Sequence, residues 1–501
     1  MEYKYLIVIF IFTLLFRSMI RIILPKLIDY DTYFHIFLIN YIRKNGTSNF
    51  IDENKLVMKA SFDYPWLLHW ILSKIPKKID SYVERFFNPL LDSLFSIIIF
   101  LILYNSTLDI EKSFYGVLIY IFTPITFSLL STGPRVKSLT PRLFGEIMGS
   151  LVFISEYYYL LNDNNLFLFS SIIFASFVFL SSKFALQTLI FMNIILSLLF
   201  LNIYFIIVII CGFLIALAFS RGKVIFLLRQ QFNHLIWYFK NNLKGNTPVG
   251  NRNNYTFLYE LLKSRNIKKI VNYFFTNNTL SIVILKFPIY LISVYISINN
   301  LLNNNLNILD YFIFASLIIF ILTSMRLFLF LGEAERYLNF IIIFSILTII
   351  NNLAISIISI LIIYGAIFYS FEFIYTFKNS RFKKEKEDIA IRWLNTKSKV
   401  LNISTIPLGF MGHKVIALTQ HNRLYALDWL DPNDVNYYQD NFSIDYDFVK
   451  LDKLDLMFTY YKLDYCFVDK KLYKNKYKKD FIIPNGFKYI DIEKEVLALY
   501  R

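Results

Sequence analysis

Apolar residues run along the chain in blocks of roughly 15–20 positions, the length a helix needs to cross a bilayer core about 30 Å thick. The blocks fall at 5–24, 86–104, 114–130, 143–161, 166–180, 185–201, 203–219, 280–298, 308–330, 338–350 and 353–371. About eleven membrane spans are therefore expected. The first block is too long for a cleaved signal peptide, and no small-residue cleavage site follows it. Connections as short as 162–165 and 351–352 leave room only for tight turns at a membrane face. The spans read as mostly free of charge, with Lys286 and Pro288 as the main interruption and no convincing inverted repeat.

Between the blocks lie polar segments at 25–85, 131–142, 221–278 and 378–501, joined by the turn 332–336. Counting spans places all of them on one side of the membrane and most of the short turns on the other. Function is expected on the polar side. Within it, 221–244 alternates Arg221, Lys223, Arg229 and Lys240 with Phe, Ile, Leu and Trp, a pattern suited to a helix lying in the interface. That helix is either a plain anchor or a wall guiding an anionic lipid.

Residues 378–386 form a basic membrane-surface stop, and the sequence beyond them is ordinary and soluble. Segments 400–405, 414–419 and 464–469 read as strands, 447–460 as a helix, and 487–500 as two strands closing a small α/β domain. The fold expected is thus a polytopic α-helical membrane protein, with a transmembrane domain over 1–377 and a soluble α/β domain over 378–501. No glycine-rich loop follows a strand, so no nucleotide fingerprint is present. His413 and His421 look too isolated to be ligands and are read as surface or packing residues.

Composition agrees. Of 501 residues, 56% are hydrophobic and only 18% charged, which excludes a purely cytosolic enzyme, a fibrous protein or a disordered chain. A net charge of +16 beside so much apolar sequence points to a partner carrying phosphate, whether lipid headgroups or a phosphorylated substrate, and no nucleic-acid partner is expected. Cys211 and Cys466 stand far apart, so neither a disulfide framework nor a zinc site is expected.

Candidate chemistry begins just after the first span, at Asp29-Tyr30-Asp31-Thr32-Tyr33-Phe34-His35. Asp29 and Asp31 are spaced to share a divalent cation such as Mg or Mn, and a helix starting near Asp31 would place His35 one turn below it. Such a carboxylate can also take a proton from an acceptor hydroxyl. The plain alternative is a helix cap. Downstream come Tyr64-Pro65-Trp66-Leu67-Leu68-His69-Trp70, then Arg135 and Arg142 with Glu146, and finally Glu333, Glu335, Arg336 and Tyr337. Arginine makes forked hydrogen bonds to phosphate and keeps its charge, so Arg135, Arg142 and Arg336 suit a phosphodiester or pyrophosphate. The alternatives are headgroup contact for Arg135 and Arg142, and an ion pair orienting the turn for Glu335 and Arg336.

These motifs resemble the GT-C superfamily of integral-membrane glycosyltransferases, which includes protein O-mannosyltransferases, aminoarabinose transferases and oligosaccharyltransferase subunits. Asp31-Thr32-Tyr33-Phe34-His35 is similar to the acidic first-loop motif of archaeal oligosaccharyltransferase subunits. The stretch from Tyr64 to Trp70 resembles the proline-containing segment that follows it, and Glu335-Arg336-Tyr337 resembles a motif of polyprenol-dependent mannosyltransferases. The resemblance implies a cytoplasmic N-terminus, an extracytoplasmic catalytic face and C-terminal domain, and a polyprenyl-phosphate-linked sugar donor. It also implies Asp31 as acceptor base or metal ligand, with Asp29 and His35 as second choices. Arg336, Arg135, Arg142 and Glu335 would bind phosphate, and Tyr33, Tyr64, His69 and Tyr337 would line the pocket. Two departures stand out. The tail has no Trp-Trp-Asp-Tyr-Gly string, its nearest approach being Asp428-Trp429-Leu430-Asp431, which argues against an oligosaccharyltransferase; and Thr32 follows Asp31 where many mannosyltransferases carry Glu. A transporter or flippase of a lipid-linked glycan, using the same arginines, and an anchored binding protein are the competing readings.

Overall fold

The computed structural model describes residues 2–23, 30–47, 55–58, 64–128, 138–243, 252–380, 385–424, 432–444 and 448–501. The first apolar block becomes α1 (Glu2–Ile23), and the loop after it carries α2 (Tyr30–Asn45) and the short α3 (Leu67–Ser73). Then come α4 (Asp80–Thr107), α5 (Ile110–Phe122), α6 (Arg142–Asn162), α7 (Asn165–Ser181), α8 (Lys183–Phe200) and α9 (Tyr204–Phe219). The long polar segment forms α10 (Lys223–Leu243), α11 (Tyr255–Lys263) and α12 (Ile267–Thr276). Two half-length helices, α13 (Thr279–Lys286) and α14 (Pro288–Leu302), precede α15 (Ile308–Ser324), α16 (Ile342–Asn352) and α17 (Ile355–Ser380).

Every expected apolar block contains helix, but the blocks do not all cross as single rods. Among the described residues five helices are long and apolar enough to span a membrane, or up to seven if each bent pair counts as one span. The block 280–298 bends by 96° between α13 and α14. Pro288 opens α14 at its first position, where a missing N–H costs nothing, and Phe287 between the two helices leaves the helical region. Block 308–330 ends its α-helix at Ser324 and continues as a 3-10 turn over Arg326–Leu331; a second 3-10 run, Ala334–Ile341, leads into α16.

The faces of α1 separate cleanly. Ile7, Ile11, Leu15 and Ile22 are exposed, as lipid-facing residues would be, whereas Arg17 and Arg21 are buried against α4. Arg17 Nε donates to Asp92 at 2.5 Å and Nη2 to the Thr126 hydroxyl at 2.8 Å; Arg21 pairs with Glu84. Such charges persist within apolar helices because each is paired and faces the bundle. The spans are therefore less free of charge than their sequence suggests.

At the turn-rich face the Asn and Asp residues serve as caps. Asp109 accepts from the first backbone N–H groups of α5, Asn164 from that of Leu166, and Asn307 forms a capping box with Asp310. At the opposite face the polar segments meet one another. α10 turns away from α9 and exposes Ile225, Phe226, Phe232, Ile236 and Phe239, as a helix lying in the interface would.

The tail forms a five-stranded sheet from β1 (Asn402–Ile406), β2 (Asn422–Arg423), β3 (Tyr465–Asp469), β4 (Lys488–Glu493) and β5 (Val496–Tyr500), in the order β2-β1-β3-β5-β4. The first three run parallel and β5 antiparallel to β3 and β4. The segment read as a strand at 414–419 is instead a short helix, Lys414–Leu418, which packs on α2. The expected helix near 447–460 is found at Leu454–Tyr461 after a 3-10 turn. The first loop also touches the sheet: Arg423 N donates to Lys55 O and Val57 N to Arg423 O, both at 2.9 Å, so Leu56 pairs parallel to β2.

Candidate functional site

The site is built where α6, the 3-10 run Ala334–Ile341 and the first loop converge. A 3-10 helix has three residues per turn, so positions three apart share an edge. That periodicity places Glu333, Arg336 and Asn339 along one side. Arg142 and Glu146, one turn apart on α6, face them. The approach is close: a Cβ at Gly149 would lie 2.7 Å from the Phe340 ring, and Ser150 Oγ donates to Phe340 O at 3.3 Å.

Within this seam Arg336 Nη2 donates to Glu333 Oε1 at 2.7 Å, its guanidinium lies 4.7 Å from the Phe184 ring centre, and Asn339 Nδ2 donates to Glu146 at 3.2 Å. Arg336 Nε and Arg142 Nη1 are buried and have no hydrogen-bond partner among the described residues. Buried donors of this kind normally find a partner. Burial pushes the Glu333 carboxyl up, but Arg336, Arg252 and Arg142 outweigh it and hold it below the ordinary carboxylate range. Glu333 is thus an anion ringed by guanidinium groups.

Glu335 points the other way. Arg252, from the long polar segment, donates from Nη1 to both of its oxygens at 2.8 and 2.9 Å. The ion pair weighed for Glu335 and Arg336 is therefore replaced by two pairs, Arg336 with Glu333 and Arg252 with Glu335, because neighbouring residues of a 3-10 helix point apart. Arg252 was not singled out in the sequence; it sits in an Asn-rich stretch with no flanking motif. Tyr337 is buried behind the seam, donating to Leu331 O at 2.9 Å and Gln187 at 3.2 Å.

The first loop adds imidazoles. His35 Nδ1 lies 2.9 Å from His69 Nε2, and His69 Nδ1 lies 3.1 Å from Pro65 O. Tyr64 packs 5.7 and 5.6 Å from the two rings, Phe34 lies 5.6 Å from His35, and His413 from the tail lies 5.0 Å from Phe34. Burial lowers His35 well below its ordinary value, helped by His69, His413 and Arg142. Burial takes His69 to about 4, against a raising hydrogen bond from Pro65, and takes His413 to about 3 with help from Arg423. Arg142 disfavours the charged forms of both His35 and Arg336, so the histidines lie within its electrostatic reach. His413, read as isolated, thus borders the site; His421 has a packing role, accepting from Leu401 N at Nδ1 and bonding Leu394 O through Nε2.

Tyr33 does not join the histidines. It lies on the far side of α2, with Lys414 Nζ 5.6 Å from its ring. Its phenol is pushed up by burial and by Asp388, Glu387 and Glu84. Asp29 and Arg135 lie outside the described residues, as does the Asp31 side chain; the Asp31 backbone is in the first turn of α2. Among the described residues no three His, Cys, Asp or Glu side chains are placed to hold a metal.

The apolar helices, the first-loop helices between α1 and α4, and the mixed sheet after the last span give the architecture of a multi-pass membrane protein. The chain is similar to the crystal structure of the Archaeoglobus fulgidus oligosaccharyltransferase tethered with an acceptor peptide containing the NVT sequon via a disulfide bond. The TM-score is 0.54 at 12% sequence identity, covering 94% of this chain and 70% of that one. No protein-family profile matches the sequence, and no curated protein matches it.

Proposed function

We propose that the protein is a membrane glycosyltransferase that moves a sugar from a polyprenyl-phosphate-linked donor to a lipid, glycan or protein acceptor at the extracytoplasmic face. The observation that carries this reading is a pair of buried guanidinium N–H groups, on Arg142 and Arg336, with no partner among the described residues and one carboxylate shared between the two arginines. Arg252 is neutralised bidentately by Glu335, so it holds the seam together, whereas Arg142 and Arg336 retain hydrogen-bonding capacity for an anion. The fold likeness to an oligosaccharyltransferase supports the reaction class, and the high proportion of apolar surface supports a lipid-borne substrate.

In this scheme the isoprenoid lies along the helices and its phosphate meets Arg142 and Arg336, with Arg135 as a further ligand. The acceptor hydroxyl attacks the anomeric carbon from the opposite side, the bond to phosphate oxygen breaks, and the sugar inverts. Asp31 orients the acceptor or takes its proton, and with Asp29 it is the pair that would hold a divalent cation. Guanidinium contacts that strengthen as the phosphate gains charge contribute on the order of 2–4 kcal/mol each to the transition state. This scheme requires the C-terminal domain on the extracytoplasmic side and takes the N-terminus to be cytoplasmic.

The test is donor consumption by the purified full chain in nanodiscs, given a polyprenyl-phosphate hexose. Asp31→Asn is expected to abolish transfer without altering the melting temperature. Undiminished transfer would remove Asp31 from the reaction. One feature favours the competing transporter reading: the break between α13 and α14, with fully buried Lys286 at the bend. Movement of a labelled lipid-linked glycan across proteoliposomes with no donor turnover would replace the transferase by that reading.

A further inference from the structure

The two first-loop histidines form a chain whose proton positions follow from one fixed partner. Pro65 offers a carbonyl, which only accepts, so the His69 Nδ1 contact at 3.1 Å requires a proton on that nitrogen. In neutral His69 the Nε2 is then a bare acceptor. The 2.9 Å contact with His35 Nδ1 accordingly requires His35 to carry its own proton on Nδ1. His35 Nε2 is left with a lone pair. Both side chains are more than nine-tenths buried, and both sit on helices, so the pair is held in register without a water bridge.

We propose that His35 Nε2 receives the proton of the acceptor hydroxyl and that His69 Nε2 takes the Nδ1 proton of His35 in turn. The inference rests on the transferase reading above and names the base within it. As the acceptor oxygen bonds to the anomeric carbon, the sugar–phosphate bond breaks and its electron pair leaves with the polyprenyl phosphate. The hydroxyl proton moves to His35 Nε2, and the Nδ1 proton of His35 moves to His69 Nε2. The positive charge then rests on His69, whose Nδ1–H already points at the Pro65 carbonyl. No group has to rotate, and protons balance at each step.

The surroundings bear on when the pair acts. His35 faces His69 from α3, Arg142 from α6 and His413 from the tail, together with the apolar faces of Phe34 and Tyr64. Of the charged groups described around His35, Arg142 disfavours an imidazolium. A phosphate drawn in by Arg142 and Arg336 would offset that positive charge. Base strength at His35 is thus expected to rise when an anion occupies the site.

The experiment uses the full chain in nanodiscs with ¹⁵N-histidine, His35→Gln and His69→Gln variants to assign the resonances, and a polyprenyl-phosphate hexose as the probe donor. At neutral pH both His35 and His69 are expected to be uncharged and protonated on Nδ1, an arrangement opposite to the usual preference for Nε2. Nε2 protonation of His35, or a charged ring at either position, overturns the relay. In single-turnover donor consumption His35→Gln is expected to lose about 100-fold or more in rate with little change in KM. His69→Gln, which still accepts from His35 Nδ1 but takes no proton, is expected to lose about tenfold and to shift the pH–rate profile. An active wild type with an unimpaired His35→Gln variant overturns this inference and leaves the transferase intact. A wild type that consumes no donor overturns the transferase reading itself.

Discussion

Arg252 and Glu335 are 83 residues apart, and a single guanidinium nitrogen bridges both carboxylate oxygens at 2.8 and 2.9 Å with both side chains buried. This contact fastens the long segment between α10 and α13 to the 3-10 run that carries Arg336. Breaking a buried pair by removing one partner strands a charge, at a cost of about 3–5 kcal/mol. Arg252→Ala is therefore expected to lower the melting temperature of the nanodisc-embedded protein sharply. The double replacement Arg252→Met with Glu335→Leu should recover much of the loss, because no charge remains buried. A double variant as unstable as Arg252→Ala would show that the segment depends on the guanidinium for more than pairing.

The three histidines at the site make stability depend on pH with a definite sign. Their folded values lie below the ordinary 6.5, to about 4 for His69 and about 3 for His413, with His35 shifted the same way. Between these values and 6.5 the unfolded chain binds more protons than the folded one, so stability falls as pH falls through that window. Each histidine contributes up to about 1.4 kcal/mol per pH unit there. Melting measured from pH 7 down to pH 4.5 should decline steeply. The His35→Gln, His69→Gln double variant should decline less, and an identical slope would contradict the burial described.

How much of this was legible follows from what a local pattern can contain. Apolar blocks announce helices because each block must satisfy its own backbone in lipid, and all of them proved helical. The break at Phe287 was signalled by Lys286 and Pro288 but its angle was not, since that is set by packing against other helices. Arg17 and Asp92 escaped notice because a hydropathy average absorbs one charge, and the partner that makes it tolerable is 75 residues away. The Lys414–Leu418 segment is short and apolar enough to pass for a strand yet is helical, with Val415 buried in the core of the tail and Ile416 in the larger cluster shared with α2. At the site, Arg142, Arg336, His35 and His69 were named from their residue types. Their true partners were not, because the pairing of Arg336 with Glu333 depends on a 3-10 period, and His413 reaches Phe34 only through the fold.

Packing at Gly365 offers a test of the bundle far from the polar face. Here α17 runs against the end of α5 so closely that a Cβ would lie 1.9 Å from the carbonyl oxygen of Phe122. That atom is backbone and cannot swing aside, so Gly365→Ala must push the two helices apart. Small residues at such crossings are what let membrane helices approach. The expected loss is about 1–3 kcal/mol, read as a lower melting temperature in nanodiscs. Ile367→Ala, at a position 57% exposed two residues on, serves as the control and should change little.

The last prediction separates the arginines by role. Arg336 and Arg142 each keep a buried N–H with no partner among the described residues, whereas Arg252 Nη1 is engaged by both oxygens of Glu335. If the unpartnered groups meet the donor phosphate, Arg336→Lys keeps the charge and its attraction to Glu333 but loses the planar fork and the stacking on Phe184. The expected result is a folded protein that still binds the polyprenyl phosphate product but transfers at roughly a hundredth of the wild-type rate, or about 3 kcal/mol. Arg142→Lys should behave alike. Arg252→Lys, by contrast, should lower stability while leaving the rate of the surviving folded fraction nearly unchanged. Measuring donor consumption and product binding for the three variants side by side decides the matter. Equal rate losses at all three positions would mean that the seam acts as one structural unit and that no single guanidinium is matched to the phosphate.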